Sequence, residues 1–300
     1  MQSRPEPDKA IFFISTSCAK NGSRVTLNSR QACSIESAAK WNPKRDIFVL
    51  FVARVGFIPD EEPSLIVSTL KSYPNIHFRN LDLYNYSMGT LGEYWIKKDL
   101  IFSTSYHLAH LSDYLRFLTL FKFGGVYMDM DIIVRKTLDG FPPNFGGEED
   151  PNSINCAILG LESKDAGHKI SELVVRENTE HYKPYEWAYS GPGALSRVLS
   201  EICHCPKNRI SQARPEFCWG FKIFPQSEFY AIHWSRPNDT VSTDKWTVDY
   251  TLEKIKHSTA VHMWNSRIHG SPILKSQRTV YKILAEKNCP RIYDASDTVF

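Results

Sequence analysis

The sequence predicts an α/β fold with a mostly parallel central sheet flanked by helices, and three observations lead there. Apolar runs with the character of buried strands, such as DIFVLFVA at 46–53, alternate with stretches of helical period. That alternation marks βαβ units, whose crossover helices cover the faces of a parallel sheet. A helix that is apolar nearly all round, beginning near Leu108, runs without a loop into the strand VYMDMDIIV at 126–134. Finally, 300 residues with 42% hydrophobic and 23% charged side chains can fill one large core, which excludes a disordered chain.

The elements follow in order. Residues 1–9 read as a short polar leader ahead of a single catalytic domain over 10–300. Residues 10–15 read as a strand, 30–41 as a helix, 46–53 as a strand, 63–70 as a helix and 76–81 as a strand. Thr90 and Glu93 have the spacing of a capping box that opens a short helix through Lys97. Leu108, Leu111, Leu115 and Leu118 share one helical face, with Phe117 and Leu120 opposite, and Gly124 and Gly125 supply the left-handed stop. Beyond the strand at 126–134 come a strand at 155–161, a helix near 166–176 and a Gly-Pro-Gly turn at 191–193 that opens another helix. A strand at 260–263 and a final helix capped by Ser276 complete the chain.

Composition narrows the function. A net charge of +3 with dispersed Lys and Arg gives no footprint for nucleic acid. No apolar run is long enough to span a bilayer, so membrane contact is expected only through a segment absent from this chain. The seven cysteines leave at least one unpaired within the chain. Cys203, Cys205 and Cys218 cluster without the paired spacing of a zinc site, Cys18 lies near Cys33, and disulfides in an oxidising lumen suit the set better. Glycosylation acceptor triplets begin at Asn21, Asn85 and Asn238.

The chemistry concentrates between Asp113 and Asp131. Asp129 and Asp131 stand two apart on a predicted strand, which turns both carboxylates to one side. Apolar neighbours on both flanks bury that strand, and buried carboxylates need a partner. Hard oxygen ligands at a strand end suit Mn²⁺ or Mg²⁺, with a nucleotide diphosphate completing the shell. Asp113 and Arg116, three apart, share a face of the apolar helix. Spacing alone allows either a structural ion pair or a grip on sugar hydroxyls, because carboxylate and guanidinium both make strong directed hydrogen bonds.

The segment SDYLRFLTLFKFGGVYMDMD at 112–131 resembles the S-D-x-x-R…G-G-x-Y-x-D-x-D signature of DXD-containing sugar transferases with a GT-A fold. The resemblance continues in order through STS at 15–17, CSIESAAK at 33–40, NCAILGLE at 155–162, GPGALSRV at 191–198, FYAIHW at 229–234 and AVHMWN at 260–265. As a set it is similar to the α-1,4-glycosyltransferases, and it covers nearly all of the chain from Ile11. It implies a GT-A-like nucleotide-sugar-binding fold, with a nucleotide-sugar half at 10–165 and an acceptor-side half at 166–300.

The implied enzyme is a retaining, UDP-sugar-dependent hexosyltransferase of the Golgi lumen. Its donor is UDP-Gal, UDP-GalNAc or UDP-GlcNAc, its acceptor a glycan or glycolipid. Asp129 and Asp131 match the metal and diphosphate carboxylates, and Asp113, Arg116 and Asn155 the donor-sugar contacts. His262, Trp264 and Asn265 match a segment beside the diphosphate, where His262 either completes the metal shell or is simply a satisfied strand histidine, and Trp264 packs over the nucleotide. No residue stands out as a nucleophile. Ser190 departs from the longer amide side chain that related sequences carry before the Gly-Pro-Gly turn. Two other readings of the same residues are a carbohydrate-binding protein without turnover and a phosphohydrolase using DMDII as its D-x-D loop.

Overall fold

The computed structural model of the chain describes residues 4–16, 27–52 and 64–300. Its strands are β1 (Ile11–Ser15), β2 (Ile47–Val52), β3 (Ile76–Leu81), β4 (Gly125–Met128), β5 (Ile132–Val134), β6 (Phe145–Asp150), β7 (Ser153–Leu161), β8 (Lys222–Phe224) and β9 (Ala260–His262). The helices are α1 (Ser29–Trp41), α2 (Leu65–Lys71), α3 (Leu83–Ser87), α4 (Glu93–Lys97), α5 (His107–Phe123) and α6 (Asp165–Glu180). They continue with α7 (Pro192–Ile202), α8 (Gln226–Phe229), α9 (Lys245–Lys254), α10 (Val280–Asn288) and α11 (Pro290–Ala295).

The main sheet has the order β3-β2-β1-β4-β7-β6-β8, and among the described strands only β7 runs against the rest. This is the mostly parallel sheet flanked by helices that the sequence predicts. Strands covered on both faces read as unbroken apolar runs, and β1 shows why. Ile11 and Phe13 face a core shared with α1 and α10, while Phe12 and Ile14 face a second core shared with α5 and α7. α1 begins at a capping box in which Asn28 and Gln31 exchange side-chain bonds with each other's backbone N–H. α5 is buried from His110 to Leu120 at every residue except the half-buried Ser112, as an apolar helix between sheet and outer helices must be.

Several expectations need correction. The run VYMDMDIIV is not one strand. Its ladder in the main sheet ends after Met128, the Ile132 amide folds back onto the Asp129 carbonyl at 3.1 Å, and β5 then pairs with β9 in a separate two-stranded antiparallel sheet. Periodicity could not show this break, because both halves are apolar and buried. Leu108 does not share the buried face of Leu111, Leu115 and Leu118, and is 41% exposed. Thr90 and Glu93 form no capping box; they bond Ser87 O and the Gly89 amide, closing the turn before α4, whose N-cap is Gly92. The last helices are not capped by Ser276, since α10 starts after Thr279, whose hydroxyl accepts from the Lys282 amide. Gly124 does stop α5 with positive φ (61°), but its ψ of −162° carries the chain straight into β4. A Cβ at Gly124 would also lie 2.0 Å from Asp8 Oδ1.

The cysteines pair across the fold, Cys33 with Cys289 and Cys203 with Cys218. The first bridge joins α1 to the end of α10 over 256 residues, so Cys33 finds its partner at the far end of the chain. Cys156 and Cys205 carry free thiols. Ser17, Cys18, Asn21, Ala53 and Pro63, named from the sequence above, lie outside the described residues. Among the described residues no helix is long and apolar enough to cross a membrane.

Candidate active site

A cleft of about 1020 Å³ opens where β1 and β4 end, the edge at which open α/β sheets bind ligands. All eight residues singled out from the sequence line it: Asp113, Arg116, Asp129, Asp131, Asn155, His262, Trp264 and Asn265. Asp129 directly follows β4 and Asp131 directly precedes β5, so the break between the two sheets displays both carboxylates. His262 ends β9 opposite Ile132, and its Nε2 lies 3.0 Å from Asp131 Oδ1. The other Asp131 oxygen accepts from the Asn265 amide at 3.0 Å. Trp264 takes a left-handed conformation (φ 55°), donates from its ring to Ile232 O at 2.8 Å and packs against His262 with the rings tilted by 45° and their centroids 3.8 Å apart.

These side chains suit a divalent cation. One potential ligand atom from each of Asp129, Asp131 and His262 lies within 4.8 Å of the others. His262 Nδ1 is buried with no hydrogen-bond partner among the described residues. Two hard carboxylates and one imidazole form a donor set compatible with Mn²⁺ or Mg²⁺.

Arg116 binds the rest of the site together. Its Nη2 lies 3.1 Å from Asp113 Oδ1 and its Nη1 3.3 Å from Asp129 Oδ1. It also donates to Cys156 O, Ser112 O and Ser112 Oγ, and its guanidinium sits over the Tyr127 ring at 4.7 Å. Tyr127 in turn donates to Asp129 Oδ1 at 2.6 Å. The guanidinium therefore has protein partners on every side, and Asp113 is the more available of the pair. Asn155 is oriented at both ends: its Oδ1 accepts from the Ala157 amide at 2.7 Å, and its Nδ2 donates to Glu149 Oε2 at 3.1 Å.

Charge and burial pull against each other here. Burial pushes the Asp113 carboxyl up to about 7, with the Arg116 charge opposing and Asp129 adding to the rise. Burial also raises Asp129, against Arg116. At Asp131 burial is outweighed by the His262 charge and by hydrogen bonds from His262 and Asn265, which hold it below the ordinary range. Burial drives His262 down, but the charge and hydrogen bond of Asp131 together with the charges of Asp129 and Glu149 outweigh it, so its net shift is upward. The Asp113 shift has a testable sign. A carboxyl whose folded pKa exceeds its unfolded value contributes stability that is complete below the unfolded pKa, about 4, and lost as pH rises through the folded value, about 7. Asp113→Asn is therefore expected to gain stability relative to wild type between about pH 4 and 7, by at most about 1.4 kcal/mol per pH unit, and to level off above that. Denaturant melts of metal-free protein across that range measure it; a pH-independent difference contradicts the assignment.

Comparison with known proteins agrees with the geometry. Residues 28–150 match the glycosyltransferase sugar-binding region containing a DXD motif, and residues 163–296 match the alpha 1,4-glycosyltransferase conserved region. Rat lactosylceramide 4-alpha-galactosyltransferase is 30% identical over 289 residues, spanning 95% of this chain and 75% of that enzyme. This chain belongs to the alpha-1,4-glycosyltransferase family. Human lactosylceramide 4-alpha-galactosyltransferase is 29% identical across 95% of this chain and 76% of its own length. Human alpha-1,4-N-acetylglucosaminyltransferase is 24% identical, across 95% and 80%. Among solved structures, an active-site mutant of LgtC aligns over 84% of this chain and 86% of its own, with 13% identity and a TM-score of 0.45.

The sequence reading of this glycosyltransferase missed two residues of the cleft. Tyr127 stands two before Asp129, and that spacing already carried the signal that its hydroxyl could reach the carboxylate. Glu149 also lines the cleft, and burial raises its carboxyl while the Asn155 hydrogen bond opposes the rise. Within the acidic run at 148–150 nothing distinguished it from a solvated turn.

Proposed function

We propose that this glycosyltransferase is a retaining enzyme that moves a hexose or N-acetylhexosamine from a UDP-sugar to a glycan or glycolipid acceptor, forming an α-1,4 linkage. The observation that carries the reading is the convergence of Asp129, Asp131 and His262 beside Asp113 and Arg116 in one cleft. Asp129, Asp131 and His262 would hold Mn²⁺ or Mg²⁺, which supplies Lewis-acid neutralisation of the leaving diphosphate. Asp113 accepts hydrogen bonds from donor-sugar hydroxyls, and Arg116 fixes Asp113 and Asp129 at the required separation. The Asn155 amide, locked by Ala157 and Glu149, presents a fixed dipole to the same sugar. Trp264 packs against His262 at a tilt and helps to bury it, and the Asn265 amide steadies Asp131. No side chain is assigned as nucleophile, and front-face attack with the leaving phosphate as base fits that absence. The division into halves at 10–165 and 166–300 belongs to the same proposal, with both halves contributing to the cleft.

The family names leave galactose and N-acetylglucosamine both open as the sugar, and UDP-GalNAc is kept beside them. The Golgi lumen is the proposed compartment; the two disulfides and the exposed Asn85 and Asn238 support it. A phosphohydrolase reading loses its basis, since Asp131 is engaged through both oxygens and the D-x-D string follows the fourth strand. The test is a donor screen with UDP-Gal, UDP-GalNAc and UDP-GlcNAc in Mn²⁺, against lactosylceramide and N-acetyllactosamine. Acceptor-dependent UDP release and an α-configured product are expected. UDP-sugar binding without turnover across all acceptors would favour the carbohydrate-binding alternative.

A further inference from the structure

Among the described residues, four side-chain carboxylates line the cleft, and the reading above places three of them on the metal or the donor sugar. Asp113 and Asp129 face Arg116, and Asp131 faces His262. Glu149 differs. It has no Lys, Arg or His within ion-pair distance among the described residues. Among the described residues its carboxylate takes a single hydrogen bond, from Asn155 Nδ2 to Oε2, and none of them donates to Oε1.

The backbone is built to aim this side chain. The β6–β7 register pairs Glu148 with Ile154 and then Asp150 with Ser153, so Glu149 is the extra residue of a bulge. Bulges next to binding sites redirect a side chain that a regular strand would point elsewhere. Gln226 at the start of α8 pins the bulge by donating from its side-chain amide to Glu149 O at 2.6 Å.

Position across the sheet indicates which part of the substrate Glu149 meets. The cleft begins at Ile14, Ser15 and Thr16 at the end of β1, passes Asp129 after β4, then Asn155 on β7, and reaches Glu149 on β6. β6 is two strand spacings from β4, about 10 Å. With the diphosphate at Asp129 and the donor sugar beside Asn155, the next group along this line is the acceptor. Charge agrees: a carboxylate with no cation in direct contact, its opposing charges being the more distant His262 and His233 rings, does not favour a diphosphate but accepts strongly from neutral hydroxyls.

We propose that Glu149 binds a hydroxyl of the acceptor sugar and, through its bond to Asn155, fixes that sugar's position relative to the donor. The assignment rests on the transferase reading above. Glu149→Gln keeps the size and can keep the contact to Asn155, but it loses the charge. It is expected to lower kcat/KM for the acceptor roughly tenfold to a hundredfold, mainly through KM, because hydrogen bonds to charged groups are worth that much. UDP affinity in Mn²⁺ is expected to stay near wild type, and Glu149→Asp to recover part of the acceptor affinity. A fall in kcat with unchanged acceptor KM, a parallel loss of UDP affinity, or wild-type kinetics would each overturn the assignment. A wild-type chain that transfers from none of the three donors refutes the transferase reading separately. Glu149 is then judged by NMR titration of lactose and N-acetyllactosamine onto wild-type and Glu149→Gln protein, each loaded with UDP and Mn²⁺. Loss of saccharide binding in the variant supports the proposal; equal binding, or none in either protein, rejects it.

Discussion

Replacing Asp131 with Asn is expected to abolish sugar transfer while the fold survives. The substitution keeps the shape and removes the charge at a position engaged through both oxygens, by His262 Nε2 and by the Asn265 amide, each at 3.0 Å. The fold tolerates this because His262, left without its counter-ion, can give up its proton rather than remain a buried unpaired charge. Cation binding does not tolerate it, because the site then offers one carboxylate in place of two. Removing preorganised electrostatic stabilisation of a leaving group typically costs a hundredfold to about a thousandfold in rate, and here the cation itself is weakened as well. Asp129→Asn should behave alike. Mn²⁺ affinity, followed by the EPR signal of the free ion, should fall in both variants. EDTA should silence the wild-type enzyme and added Mn²⁺ restore it. Unchanged Mn²⁺ affinity together with wild-type rates in either variant would remove these residues from the metal site.

Arg116→Met should produce the largest loss of stability of any single change in the cleft, about 3–5 kcal/mol, with activity lost too. The guanidinium is buried and stands between two carboxylates, Asp113 at 3.1 Å and Asp129 at 3.3 Å, so its removal leaves both uncompensated. An isolated Asp113–Arg116 pair could be exchanged as a unit for apolar side chains. The third partner prevents that, because a variant with both replaced still leaves Asp129 without its cation. Arg116→Lys should rescue little, since a single ammonium cannot reach both carboxylates and the Cys156 carbonyl at once. Asp113→Asn should stay folded, bind UDP and fail in transfer. Thermal melts beside UDP titration and turnover separate these outcomes. An Arg116→Met protein that melts with wild type would reduce the guanidinium to a surface-like contributor, and normal turnover in Asp113→Asn would reduce Asp113 to scaffold.

Much of this site could be read because its chemistry is local in the chain. Asp113 and Arg116 meet at helical spacing, and Asp129 and Asp131 lie two apart, so pattern rules reached them and the S-D-x-x-R…D-x-D string carried the family. The same locality misled where a turn intervened. The two aspartates converge because the chain leaves one sheet for another between them, a break invisible within an unbroken apolar run. The capping box expected at Thr90 failed for a related reason, since the same side chains found partners in the preceding turn.

What the sequence by itself determined was the alternation of strand and helix, the burial of α5 on nearly all sides, the two local carboxylate pairs and the family they announce. Periodicity and short motifs encode those directly, because neighbours in the chain are neighbours in space. Only the tertiary structure decided that His262 meets Asp131 across 131 residues, that Cys33 bridges Cys289, that Arg116 serves two carboxylates, and that a bulge turns Glu149 into the cleft. Each of these depends on which strand ends lie side by side. Strand order is set by the packing of the whole core, and no local stretch of the chain specifies it.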